Sequence, residues 1–120
     1  MSDVVTRLME ANLLDVFNER DPQRRSEAIA RTYAANVQWT DDEGVISGHD
    51  ALNSKASELQ KTLHGLHFIK AGAVRKTRGL GFLAWKLCGS NGQTVASGFD
   101  VAEISDDLIL RFWTVLDPPE

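Results

Sequence analysis

From Leu66 to Leu116 the sequence is a series of runs rich in β-branched and aromatic residues, separated at close intervals by clusters of Gly, Asn, Asp and Ser. The runs fall at Leu66–Lys76, Leu80–Leu87, Gln93–Ile104 and Leu108–Leu116, with turns at Thr77-Arg78-Gly79, Gly89-Ser90-Asn91-Gly92 and Ser105-Asp106-Asp107. Connections this short join antiparallel neighbours, because a parallel pair needs a crossover of about a dozen residues. The second half of the chain therefore reads as an antiparallel meander.

The first half carries a different period. Val5, Leu8, Met9, Leu13, Val16 and Phe17 recur at intervals of three and four, which predicts one amphipathic helix starting near Ser2 or Asp3. Asp21-Pro22 opens a second helix with Ala28, Ile29, Thr32 and Tyr33 inward, the Asp as cap and the Pro in the first turn. Val37 and Trp39 alternate with polar neighbours in a short strand before the acidic turn Asp41-Asp42-Glu43-Gly44, read as a solvated loop. Leu52, Ala56, Leu59 and Leu63 mark a third helix that ends at Gly65. Helices followed by one curling antiparallel sheet make an α+β arrangement in which the helices cover one face.

At 120 residues, with 42% apolar and 25% charged residues, the chain is one domain, residues 1–120, with enough apolar content for a core. A formal charge of −4 argues against a nucleic-acid partner, which selects a basic face. There is no basic, apolar leader and no run long enough to span a bilayer, so no membrane partner is expected. The lone Cys88 cannot form an internal disulfide, which suits a cytoplasmic setting.

Strand alternation sorts the side chains of the sheet. Leu83, Trp85 and Leu87 share the face expected to meet the helices, as do Phe112 and Thr114 on the last strand. The opposite face would show Phe99, Val101, Trp113 and Val115, more apolar surface than a monomer usually exposes, and this predicts a homodimer through the sheet. Asp100 stands mid-strand, where a carboxylate must be hydrogen-bonded, neutralised or at the surface. It reads either as an acid/base group in an apolar pocket or as a structural partner of a Trp indole or backbone amide. His67 is a candidate base if its strand face turns inward. His49, His64 and His67 do not assemble a metal site, since Gly65 separates the latter pair and ends the helix.

In order and spacing, Tyr33-Ala34-Ala35-Asn36-Val37-Gln38-Trp39-Thr40-Asp41, Ile46-Ser47-Gly48-His49-Asp50-Ala51-Leu52, Ala84-Trp85-Lys86-Leu87, Ser97-Gly98-Phe99-Asp100-Val101-Ala102-Glu103-Ile104 and Val115-Leu116-Asp117 resemble the nuclear transport factor 2-like superfamily, in particular its SnoaL-like polyketide-cyclase and ketosteroid-isomerase branch. The resemblance spans nearly the whole chain. It implies a cone of curved sheet wrapped around three helices, an apolar pocket at the open end and a frequent homodimer. It also implies that Trp39 and Trp85 lie near the cavity and that Asp100 is the catalytic candidate; Leu13, Phe17, Phe112 and Thr114 join the two Trp as ligand-binding candidates, and His67 stays a second catalytic candidate from its strand position. Of the three polar residues that ketosteroid isomerases use, only the penultimate-strand Asp is matched, by Asp100; Leu13 and Trp39 or Thr40 stand at the other two places. The implied ligand is a small hydrophobic, oxygen-bearing molecule, handled without a cofactor by isomerisation, cyclisation or dehydration. The alternative is a non-catalytic binding or dimerisation module, because this fold hosts both.

Overall fold

The computed structural model describes residues 3–118. Three α-helices lie against one face of a curved seven-stranded sheet. Helix α1 spans Val4–Ala11 and is capped by Asp3, whose carboxylate accepts from the Thr6 amide at 2.8 Å. The single long helix expected from the periodicity does not continue beyond it. Residues Asn12–Phe17 wind as a π-helical segment, and the Asn18 amide bonds back to the Leu13 carbonyl. A wider turn holds more residues per revolution, and here it keeps Asn12, Leu13, Val16 and Phe17 all buried on the sheet side.

Helix α2 (Pro22–Thr32) starts where the Asp21-Pro22 signal places it, with Asp21 accepting from the Gln23 amide. Tyr33 is not helical. Its extended backbone opens strand β1 (Tyr33–Asp41), longer than the expected strand around Val37–Thr40. β2 (Gly44–Ser47) folds back on β1, and α3 (His49–Thr62) follows.

The expected strand from 66 to 76 is two strands, β3 (His67–Lys70) and β4 (Arg75–Thr77). Both lie along β5 (Leu80–Cys88): Lys70 faces Trp85 and Arg75 faces Phe82. The connector at 71–74 is longer than the stretch of β5 it passes, so it leaves the ladder, with Gly72 at a φ of 112°. β5, β6 (Thr94–Ser105) and β7 (Leu108–Leu116) form the antiparallel meander that the turns predict. The sheet is not antiparallel throughout. Its order is β2-β1-β7-β6-β5-β3, and β1 pairs parallel with β7, because the helices and the rest of the sheet form the long crossover between them.

The core lies between α1, α2, the π-helical segment and the inner sheet face, around Leu8, Met9, Ile29, Leu83, Ala102 and Ile109. Gly81 lets α1 sit down on β5, since a Cβ there would come within 2.8 Å of the Met9 side chain. The β6–β7 turn carries Asp106 and Asp107 at φ of 53° and 63°, between the paired Ser105 and Leu108. Two left-handed residues in a two-residue hairpin loop are the setting in which Asn-Gly is preferred. The double substitution Asp106→Asn, Asp107→Gly should therefore stabilise the fold by about 1 kcal/mol. A lower denaturation midpoint would contradict that geometry.

Candidate functional site

The sheet does not close onto the helices at one end, and a cavity of about 250 Å³ opens there. Its walls come from Leu13 and Phe17 of the π-helical segment, Leu59 of α3 and Leu63 just after it, and Trp39 and Trp85 of the sheet. The β1–β2 turn and Lys55 of α3 stand at its mouth. The acidic turn is thus part of the rim. Lys55 Nζ lies 3.3 Å from Asp41 and 3.1 Å from Glu43, and 5.5 Å from the centre of the Trp39 ring.

Asp100 is the ionisable group deepest in this wall, 4% exposed. Strand parity turns it inward opposite Leu83 and Thr114. Asn12 Nδ2 donates to its Oδ2 at 2.9 Å; Thr114 Oγ1 and Trp85 Nε1 donate to its Oδ1 at 2.9 and 3.3 Å. The network continues outward. Trp39 Nε1 donates to Thr114 at 2.9 Å, and the Tyr33 hydroxyl donates to Asn12 Oδ1. Tyr33 thereby orients the Asn12 amide with its NH₂ toward the carboxylate.

Burial pushes the Asp100 carboxyl up from 3.8 to about 6, against the downward pull of the bonds from Thr114, Trp85 and Asn12. Desolvation wins because the carboxyl has left water almost completely. Burial, with the Asp100 charge nearby, also raises the Tyr33 phenol well above its ordinary value, so Tyr33 stays a neutral donor. A carboxyl that titrates near neutrality can take or give a proton there.

Among the ligand-binding candidates, Leu13, Phe17, Trp39, Trp85 and Thr114 line the cavity with Asp100. Phe112 does not. It is stacked between Tyr33, at 5.4 Å, and Trp39, at 5.5 Å, so the Trp39 ring separates it from the opening. His67 also lies elsewhere, exposed on the outer face of β3. Its neighbour Phe68 takes the inward position and meets Trp85 edge-on at 5.2 Å, so strand alternation removes His67 from any role in the cavity. The Asn18 side chain fixes that parity, exchanging hydrogen bonds of 2.8 and 2.7 Å with the carbonyl and amide of Phe68.

Asn12 and Tyr33 escaped the sequence reading. A signal was present: Asn12 occupies a position of the apolar stripe of the first helix, between Met9 and Leu13, where a polar residue must find a buried partner. Trp85 owes its position to Gly98, since a Cβ on Gly98 would meet the indole at 2.7 Å and the Val115 carbonyl at 2.3 Å.

The architecture is that of known structures. A candidate isomerase of the SnoaL-like family from Agrobacterium tumefaciens superposes with a TM-score of 0.88 at 22% identity, over 96% of this chain and 98% of its own. A candidate SnoaL-like polyketide cyclase from Jannaschia sp. CCS1 gives 0.74 at 14% identity, over 98% and 90%. A candidate polyketide cyclase from Sinorhizobium meliloti gives 0.68 at 17% identity, over 95% and 94%. No family model matches the sequence, and no curated protein matches it significantly. The chain has the cone fold of the SnoaL-like and nuclear transport factor 2-like proteins, an α+β sheet wrapped on three helices.

Proposed function

We propose that this protein binds a small, largely apolar molecule carrying oxygen and moves a proton on it through Asp100, as an isomerase or cyclase does. The observation that carries this reading is one buried carboxyl set among the apolar and aromatic residues of the inner cavity wall, where burial pushes it up to about 6. Ionised Asp100 would take a proton from a carbon next to a carbonyl and deliver it to the carbonyl oxygen, giving the enol, while the aromatic walls exclude water and hold the flat part of the substrate. The candidate isomerase and cyclases that share the fold are consistent with this class of chemistry.

The test is deuterium exchange at the activated carbon of 2-tetralone in heavy water, followed by proton NMR. The protein should speed exchange beyond the buffer rate, with a rise centred near pH 6, and Asp100→Asn should lower the protein-dependent rate by about 10²-fold or more. An unchanged rate in the variant would remove Asp100 from the chemistry. A non-catalytic binding module is the second reading, favoured by the three protein donors that already hold Asp100. The two differ in outcome, since a binding module retains affinity without exchange.

The outer sheet face supports self-association as part of the same proposal. Trp113 and Val115 are exposed there, beside the half-buried Val101 and the Phe82–Phe99 ring pair, 5.2 Å apart. Sedimentation at micromolar concentration should give a dimer that Trp113→Lys dissociates; a monomeric wild type would overturn this. No helix among the described residues is long and apolar enough to cross a membrane. The buried free thiol of Cys88 fits the proposed cytoplasmic setting.

A further inference from the structure

Counting donors and acceptors in the cavity wall narrows the ligand. The Trp39 indole N–H is committed to Thr114, the Trp85 N–H to Asp100, and the Thr114 hydroxyl proton to Asp100. Asn12 spends its amide on Asp100 and Tyr33 and forms no part of the wall. Among the described residues, every side-chain donor around the floor is therefore taken. Acceptors remain. Asp100 Oδ2 receives one hydrogen bond, from Asn12, and a carboxylate oxygen has room for two. Thr114 Oγ1 gives its proton to Asp100 and accepts from Trp39, which leaves it a second lone pair. The cation of the rim, Lys55, is held at the mouth by Asp41 and Glu43.

We infer that the cavity selects a neutral ligand by a hydrogen-bond donor, a phenol, enol or alcohol hydroxyl, and disfavours molecules of the same shape that can only accept. A carbonyl or ether oxygen brought to this floor would lose its water and find only other acceptors, whereas a hydroxyl proton meets a carboxylate, so the enol formed in the proposed reaction is held in preference to the ketone it comes from. The volume suits a bicyclic skeleton: a dry apolar cavity of about 150 Å³ takes benzene, and this one is larger. The inference rests on the proposal that the cavity holds a ligand, and it names the class of that ligand.

The groups that face Asp100 are Asn12 from the π-helical segment, Trp85 from β5 and Thr114 from β7, with Tyr33 of β1 behind Asn12. The remaining charged groups of the cavity, Asp41, Asp42, Glu43 and Lys55, are at the rim. Asp100 is thus the group whose protonation changes the floor: below its titration point the carboxyl carries a proton and can donate.

The experiment compares three probes of one skeleton by calorimetry on the whole chain: 6-hydroxytetralin, 6-methyltetralin and chroman, the last an ether of tetralin shape. At about pH 7.5 the hydroxyl compound should bind at least about tenfold more tightly than either of the others. At about pH 4.5 that advantage over chroman should shrink. Thr114→Val, nearly the same shape, releases the Trp39 N–H into the cavity, so chroman should gain affinity in this variant. Equal affinities for the three probes, or chroman ahead of the hydroxyl compound in the wild type, would overturn the donor preference while leaving the binding cavity intact. Absence of binding by all three, with no shift of the Trp39 or Trp85 indole signals in NMR, would overturn both this inference and the function it rests on.

Discussion

Replacing Asp100 by asparagine should make the folded state gain stability relative to wild type as pH rises from about 4 to about 7. The carboxyl titrates at 3.8 when unfolded and at about 6 when folded. Below 3.8 it is protonated in both states and contributes no pH dependence. Between the two values the unfolded chain ionises while the folded one holds its proton, so stability falls with rising pH, and the loss is complete above about 6. The displacement corresponds to an order of 3 kcal/mol. An amide at this position does not titrate and is spared that loss. It would present NH₂ toward Asn12, but Asn12 can reverse its own amide and the Tyr33 hydroxyl can then accept in place of donating. The network survives reversed. Asp100→Leu cannot be accommodated in this way: it orphans donors from Asn12, Thr114 and Trp85, at about 1–3 kcal/mol for each buried group. Urea titrations of wild type and Asp100→Asn across this pH range provide the test. Asp3, held ionised by Lys76 and the Thr6 bonds, is common to both proteins and cancels in the difference. A flat difference between the two would mean that the Asp100 carboxyl is not desolvated in the folded protein.

Arg25→Ala should cost about 3–5 kcal/mol, more than any surface charge can. The Arg25 side chain is buried, 1% exposed, and its fork is spent on the chain itself. Nε donates to the Glu19 carbonyl at 3.0 Å, Nη2 to the Arg20 carbonyl at 3.3 Å, and Nη1 to Asn53 Oδ1 at 3.0 Å and to the Ser57 hydroxyl. It joins the connector after the π-helical segment, helix α2 and helix α3. Truncation leaves those part-buried acceptors without their donor and opens a void where the buried Arg25 side chain stood. Lysine cannot replace it, since a single ammonium cannot span acceptors set around a planar fork. The effect reaches the cavity through α3, which carries Lys55, Leu59 and, at its C-terminal end, Leu63, so ligand affinity should weaken in any Arg25 variant that still folds. Chemical denaturation measures the stability change, and a loss below about 1 kcal/mol would show that the guanidinium is dispensable.

Local rules carried the secondary structure where one signal acted alone. Asp21-Pro22 starts α2, and the two-residue turn at Asp106-Asp107 joins β6 to β7, because capping and turn preferences depend on a few adjacent residues. They failed where two partners competed. The helical period through Phe17 gave no warning of the π-helical segment, whose buried face is set by contacts with the sheet. Nor did the run 66–76 reveal its break, which exists because both pieces must pair with one β5. Arg25 sits where the stripe of α2, Ala28, Ile29 and Thr32, requires an inward residue, yet an arginine there reads as solvent-facing until its acceptors are seen.

The candidate site divides in the same way. Strand alternation sorts the residues of each strand into two faces, and the register between strands puts Asp100, Trp85 and Thr114 on the same one. The same alternation left the side of His67 open, and that side was decided by Asn18 gripping the backbone of Phe68. Periodicity and turn chemistry in the sequence therefore determined α2, α3 and the β5–β7 meander. Only the tertiary structure decided that Asn12 and Tyr33 complete its hydrogen bonds, that Phe112 lies behind Trp39, and that the wall keeps acceptors with its donors already engaged. Hydrogen bonding between residues as far apart in the chain as Asn12 and Asp100 leaves no local trace in composition or period; it exists once the fold brings the two groups to 2.9 Å.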